Sequence, residues 1–521
     1  MNVSKLQPAR KFAPRNPAGT NAFFAAYDRD MPHYTAIPAS LYCFTTLISG
    51  FVVLSLEMLG FRLLAPYFGY STYVWGGMLG VILAALSAGY YLGGVLADKK
   101  PEGTVVFDLI LYSTLFLIGV LFFYREMLEA FSHSGIILGS IGSSIVLFGP
   151  AMLLLGMISP FIIKLLAQED TVGVTAGKIF ALSTLGSILG TFFTSFVLIP
   201  EAGSFSTLTL LTVLLLLLYI LGSYRKRLKA LMGLALIVLV LLVPEKNGES
   251  QIVYETESAY NLIRVGKKEN QYLLYLNDAR WAQSNYQKGF ISTGGYHDFM
   301  LLGTILTDFK DVLILGAGAG ISIRQFLFYS RKAKVDAVEI DPKVIEVGRK
   351  FFDLTDDPRL NIYIEDARPF LNRVRKRYDF IEIDAFSGGP FVPFYLTTKE
   401  YFELAFQKLR PQGVMMMNVL STGGDKTFSH RLGNTVKSVF PSLFTVDLGE
   451  NILFIAARNP TRLERIKAKL QNNPNPRLSV VVQYALERFE EFDFQEGVPI
   501  FSDDRAPAAK LIYEMVRAEY Q

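Results

Sequence analysis

The sequence predicts two architectures in one chain: a membrane α-helical bundle of about seven spans, followed by an α/β domain with a parallel sheet and a small β-sheet at its start. Three observations carry this prediction. Apolar residues make up 51% of the 521 positions and charged residues only 19%, far from the average soluble composition. The apolar residues crowd into roughly the first 245 positions as recurring segments. Beyond Pro244 short alternating runs take over, and from residue 311 strand-like runs alternate with helix-like ones, the pattern of a parallel sheet.

The apolar segments lie at about 42–64, 72–96, 105–124, 135–163, 177–199, 204–223 and 229–244. Six have the ~20 apolar residues that a helical crossing needs. The seventh, between Lys229 and Glu245, offers about 15. "GGMLG" (76–80) and "GYYLGG" (89–94) place small residues four apart on one face, which predicts close helix packing. Glu57, Arg62 and Asp108 are ionisable groups at membrane depth, where charge is costly and often functional. Arg62, near a span end, is placed to snorkel, and Glu57 to face a polar cavity or a partner helix.

Seven alternating spans gather Lys5, Arg10, Lys11, Arg15, Lys99, Lys100, Lys164, Arg225, Lys226, Arg227 and Lys229 on one side. The positive-inside rule makes that side cytoplasmic and sets the C-terminal half opposite it. The chemistry below calls for a cytosolic C-terminal half, which requires 229–244 to be re-entrant or interfacial, or one of the other segments not to cross.

Composition also sets aside several classes. A net charge of +4 with no dense basic run in the C-terminal half argues against nucleic acid. The single cysteine, Cys43, excludes an intramolecular disulfide and a cysteine zinc site. Four histidines without an HExxH pair give no reason to expect a metal.

In the C-terminal half, 251–284 reads as a small antiparallel sheet. "DVLILGAGAG" (311–320) reads as a buried strand entering a glycine turn, 321–330 as a helix, and 334–341, 361–367, 378–386 and 413–419 as further strands. Ligands of such sheets bind beyond the carboxyl ends of the strands, so Glu339, Asp366 and Asp384 are expected to share one crevice. Gly316, Gly318 and Gly320 follow a GxGxG spacing rather than the GxGxxG of dinucleotide sites, which points toward S-adenosylmethionine and its relatives. Glu339 is placed to accept from both ribose hydroxyls, and Asp366, followed by Ala367, to bond an adenine amino group.

These pieces resemble the spermidine synthase (polyamine aminopropyltransferase) family, in the branch fused to an N-terminal membrane region. The resemblance rests on "YNLIRV" with "LNDARWAQS", "YHD" (296–298), "VLILGAGAG", "VEIDPKVIEVGRKFF", "DPRLNIYIEDARPFL", "YDFIEIDAF" and "LTTKEYF", and on the likeness of the first spans. It implies a Rossmann-like, methyltransferase-type domain over 301–521, after a tail (1–41), a transmembrane domain (42–245) and a small β-domain (250–300). It further implies a membrane-bound transferase that moves an aminopropyl group from decarboxylated S-adenosylmethionine to a small-molecule amine, releasing methylthioadenosine. Under it Asn261 sits near the nucleoside, Tyr296 and His297 line the wall between donor and acceptor, and Asp384 orients the amine and takes its proton. A homo-oligomer, a dimer, in contact with membrane lipid at the cell (inner) membrane is the corresponding expectation.

Departures from the family pattern keep other readings open. An Asp expected in the glycine turn is Ala319, a second Asp three residues after Asp384 is Ser387, and a YPxGxWGF-like signature is not recognisable in "FTVDLGENILF" (444–454), where Asp447 and Glu450 are the nearby acids. Without an acid at 319, intact S-adenosylmethionine becomes a possible donor, by aminocarboxypropyl transfer, internal cyclisation or methyl transfer. A non-catalytic ligand-sensing or transport protein is the remaining alternative. Asp503 and Asp504 in "PIFSDDRAPAAKL" are expected to cap the helix that follows.

Overall fold

A computed structural model describes residues 37–519 apart from 70, 169–170, 225, 244–250, 278–279, 387, 423 and 474. Ser387, most of the N-terminal tail and the junction at 244–250 therefore lie outside the described residues.

The first half is helical: α1 (Ala39–Phe68), α2 (Thr72–Lys99), α3 (Gly103–Ser132), α4 (Ile136–Leu147), α5 (Gly149–Gly156), α6 (Ile158–Leu166), α7 (Val172–Phe193), α8 (Gly203–Ser223) and α9 (Arg227–Leu241). Among the described residues, five helices are long and apolar enough to cross a membrane: Ala39–Phe68, Thr72–Lys99, Gly103–Ser132, Gly149–Leu166 and Val172–Ser223. Length and composition thus mark five candidates against the seven segments expected. The segments expected at 177–199 and 204–223 join through a π-helical stretch, Thr194–Ala202, into 52 helical residues. That is roughly 78 Å at 1.5 Å per residue, far beyond the ~30 Å of a bilayer core. The backbone turns within it at Gly203 (φ 80°), just past Pro200. α9, with 15 residues, packs along α8 and spans only about 22 Å.

Small residues do bring helices together, though not all of those expected. A Cβ at Gly89 would collide with the Leu153 carbonyl and one at Gly93 with the Met157 backbone, whereas Gly76 and Gly80 face open space. Asp108 pairs with Lys229 of α9, and Lys164 with Asp98 at 2.7 Å. Glu57 is buried. Arg62 does not snorkel: it is buried, and its guanidinium donates to the carbonyls of Ser258 (2.6 Å) and Tyr260 (2.8 Å) in the second half of the chain.

That second half begins with an antiparallel sheet, β1 (Ile252–Glu257), β2 (Leu262–Lys268), β3 (Gln271–Leu276) and β4 (Ala282–Gln287), in the order β1-β2-β3-β4. An eight-stranded sheet follows: β5 (Asp311–Leu315), β6 (Lys334–Glu339), β7 (Leu360–Ile364), β8 (Tyr378–Ile383), β9 (Leu409–Leu420), β10 (Ser442–Asp447), β11 (Asn451–Ala457) and β12 (Phe489–Glu491). Its order is β12-β10-β11-β9-β8-β5-β6-β7. β7, β6, β5, β8 and β9 are mutually parallel, and β11, β10 and β12 extend the sheet antiparallel. β8 is buried along its whole length, the signature of a strand covered on both faces.

The two halves meet along one end of the bundle. Ser204 donates its backbone N–H (3.0 Å) and hydroxyl (2.7 Å) to Glu257. Lys343 reaches the Pro200 carbonyl at 3.3 Å, and the Tyr513 hydroxyl accepts from the Ile136 N–H at 3.3 Å. Phe391 packs against the helical core and the sheet core alike.

Candidate active site

The glycine turn after β5 needs residues without side chains. Gly316 (φ 91°) and Gly318 (φ 52°) are left-handed, a region costly for other residues, and a Cβ at Gly316 would collide with the Asp384 carbonyl. The strand ends β5 and β8 thus touch backbone to backbone, and a cavity of about 830 Å³ opens beside them. Gly316, Ala317, Gly318, Glu339, Asp366, Ala367, Asp384, His297 and Asn261 line it. Gly320 does not; in αL conformation it caps the helix Ile321–Tyr329. Ala319 is fully buried in the apolar cluster with Ile263, Val265 and Val344 and is not on the wall.

Asp384 stands at the end of β8. Its Oδ2 accepts from the Tyr296 hydroxyl at 2.8 Å and its Oδ1 from the Asn418 amide at 3.1 Å, while His297 Nε2 lies 3.9 Å from Oδ2. Burial raises the Asp384 carboxyl to about 6, against the lowering by those two hydrogen bonds. Burial lowers His297 to about 4, so its imidazole is neutral at physiological pH. Tyr296 stacks on His297 with ring centroids 4.1 Å apart, and stands behind Asp384 rather than on the cavity wall.

Glu339, ending β6, accepts from the backbone N–H of Gly318 (2.9 Å, Oε2) and of Asp341 (3.1 Å, Oε1). Burial pushes it up to about 7, although these N–H groups pull the other way. Asp366 caps the helix Ala367–Arg373 through the Arg368 N–H at 2.8 Å and accepts from the Tyr395 hydroxyl at 2.6 Å. Asn261 gives its amide to Asp341 at 2.9 Å and accepts from Asn277 at 2.9 Å, so its side chain holds the wall together.

Four contributions to the site escaped the sequence reading. Asn418, at the end of β9, follows three methionines and reads there as strand. Glu382 has no flanking motif. Ser71, Thr72 and Tyr73, at the N-terminus of α2, close part of the cavity, and nothing local in the sequence links them to the second half. Asp503 does not cap the following helix: its carboxylate takes both terminal nitrogens of Arg368 (2.7 and 2.5 Å) and the Thr398 hydroxyl (2.8 Å), a forked pair on the cavity rim. Asp447 and Glu450 are not on the wall; Asp447 accepts from the Gly449 N–H at 2.8 Å in the β10–β11 turn. Among the described residues, no cluster of His, Cys, Asp and Glu has the makings of a metal site.

Comparison with known proteins adds the following. Residues 298–447 match the spermine/spermidine synthase domain. The chain is similar to a probable polyamine aminopropyl transferase of Bifidobacterium longum, 31% identical over 41% of this chain and 49% of that protein. It is also similar to the polyamine aminopropyltransferase of Clostridium beijerinckii, 38% identical over 23% of this chain and 44% of that one. A third relative, from Vibrio vulnificus, is 26% identical over 53% of this chain and 96% of the relative. The chain spans about half the length of the first two. Among solved structures, a probable spermidine synthase from Corynebacterium glutamicum aligns at 18% identity with a TM-score of 0.40, covering 50% of this chain and 99% of that one.

Proposed function

With residues 298–447 belonging to the spermine/spermidine synthase family, we propose that the second half of the chain is an aminopropyltransferase acting on a sulfonium nucleoside donor and a small amine. The observation that carries this reading is the charge of the cavity. Glu339, Glu365, Asp366, Glu382, Asp384, Asp503 and Asp504 line it against one lysine, Lys510. Glu365 and Asp503 are paired with Arg373 and Arg368, Glu382 is held protonated by burial while the cavity is empty, and His297 is neutral, so acids still outnumber bases. Both substrates of this transfer are cations, and such a wall attracts them.

In this reading Glu339 and the Gly316–Gly318 backbone hold the ribose, Asp366 and Ala367 border the adenine, and Asn261 braces the wall beside it. Asp384 accepts the proton of the bound ammonium. The freed amine attacks the carbon next to the sulfonium, the C–S bond breaks, and its electron pair neutralises sulfur, so methylthioadenosine leaves. Positioning and a nearby base supply most of what such a displacement needs. Tyr296 and Asn418 orient the Asp384 carboxylate and hold it ionised. Mass spectrometry of the amine after incubation with decarboxylated S-adenosylmethionine and putrescine tests the reading: gain of one aminopropyl group supports it, and an unchanged amine refutes it.

Intact S-adenosylmethionine is a second donor to test, and Ala319, buried in the apolar cluster away from the cavity wall, does not bear on that choice.

The helical half is proposed to embed in the inner membrane as about seven spans in contact with lipid. The division into a tail (1–41), a membrane domain (42–245), a β-domain (250–300) and a catalytic domain (301–521) belongs to the same proposal, as does a dimer. Sulfonium donors are cytosolic, so the catalytic domain is proposed to face the cytosol, against the charge bias of the loops. A reporter at the C-terminus that is active only outside the cytosol would overturn that orientation.

A further inference from the structure

Glu382 lies two residues before Asp384 on β8, so both side chains leave the same face of the strand. It is 1% exposed, and its strand neighbours in the sheet are Ile314 of β5 and Met416 of β9, neither of which offers a polar group. Oε1 accepts from the Ser322 hydroxyl at 2.6 Å. Oε2 is enclosed and has no hydrogen-bond partner. Glu382 and Ser322 both line the cavity.

A buried carboxyl oxygen without a partner loses its hydration uncompensated, and an acid amid apolar strands is tolerated where a ligand completes it. We propose that Glu382 forms an ammonium subsite of the cavity, its free Oε2 accepting an N–H from a primary ammonium of a substrate. The ammonium is either that of the donor's three-carbon arm or that of the acceptor. The proposal rests on the transferase reading for its substrates and adds the group that grips them.

Protonation agrees with the geometry. Burial, then the negative charge of Asp384, raises Glu382 to about 8, so near neutral pH it holds a proton while the cavity is empty. The other titratable groups around it are Asp384 itself, Tyr296 bonded to Asp384, neutral His297, and Glu339 across the glycine turn. An arriving ammonium favours the ionised carboxylate, and the acid's proton leaves to solvent as the ion pair forms.

The test is calorimetry on the full chain in detergent at pH 7, in buffers of different ionisation enthalpy, which counts protons released on binding. Methylthioadenosine lacks an ammonium and sets the baseline. Decarboxylated S-adenosylmethionine then tests the donor as source, and putrescine added to the methylthioadenosine complex tests the acceptor. The expected result is extra proton release with one of the two. Glu382→Gln is expected to abolish that release and weaken the same ligand tenfold or more, with methylthioadenosine affinity unchanged. No extra proton from either ligand, or undiminished affinity of both in Glu382→Gln, overturns the subsite. Should the variant not fold, absence of extra proton release in the wild type still overturns the subsite. Because it reads binding, a protein that binds with proton release but never turns over contradicts the transferase reading and leaves the subsite standing.

Discussion

The Tyr296 hydroxyl donates to Asp384 Oδ2 at 2.8 Å, joining a residue just ahead of the short helix His297–Met300 to the first position after β8. The bond fixes the carboxylate, favours its charged form and leaves Asp384 on the wall of the cavity. The proposed chemistry depends on that oxygen being ionised and aimed.

Replacing Asp384 by Asn removes the base and retains the shape. Turnover is expected to fall by about 10²–10⁴-fold, the usual contribution of a positioned acid–base group, with the folded state intact by circular dichroism. Activity within a few-fold of wild type would remove Asp384 from its role.

The pH profile follows from the same carboxyl. The base works ionised, and its value of about 6 predicts a limb in kcat/KM that falls below about pH 6, beneath a second limb near pH 8 where Glu382 must lose its proton to take an ammonium. His297, lowered to about 4, is not the source of the lower limb. Tyr296→Phe deletes a hydrogen bond that favours the charged form, so the lower limb moves to higher pH. A lower limb that stays in place, or moves down, contradicts this account.

Gly316→Ala tests the contact between β5 and β8. A left-handed backbone and a clash with the Asp384 carbonyl are expected to lower stability by about 1–3 kcal/mol and to displace Asp384. Thermal denaturation and turnover should both register the change, turnover more severely.

How much of this was legible in the sequence differs between the two halves. β5 followed from a buried run entering a glycine turn, and β6, β7 and β8 with the acids beyond them from short runs closed by Asp or Glu, because a parallel sheet gathers its strand ends at one edge. The β10–β11 hairpin did not: it turns on Gly449 (φ 93°) in a stretch read mainly for a missing motif. Where one span ends and the next begins was illegible for a related reason. Hydropathy marks apolar stretches, but the π-helical passage through Pro200 to Gly203 is a backbone event. The roles of Arg62 and Ser71–Tyr73 depend on how two distant segments dock, which no local pattern encodes.

Arg62 makes that docking testable. Its guanidinium holds the carbonyls of Ser258 and Tyr260, and the Ser258 hydroxyl bonds Asp341 at 2.5 Å beside the Asn261 amide. Hydrogen bonds to a charged group are worth about 1.5–3 kcal/mol, so Arg62→Met is expected to weaken methylthioadenosine binding about tenfold or more. Unchanged affinity would mean that the bundle and the nucleoside site are independent.

The most direct measurement is the identity of the nucleoside released by the detergent-purified chain from decarboxylated S-adenosylmethionine, with and without putrescine, and from intact S-adenosylmethionine. The account predicts methylthioadenosine from the decarboxylated donor only when amine is present, and about 10²–10⁴-fold less from Asp384→Asn. Methylthioadenosine from the intact donor alone, S-adenosylhomocysteine, or no nucleoside product at all would contradict it.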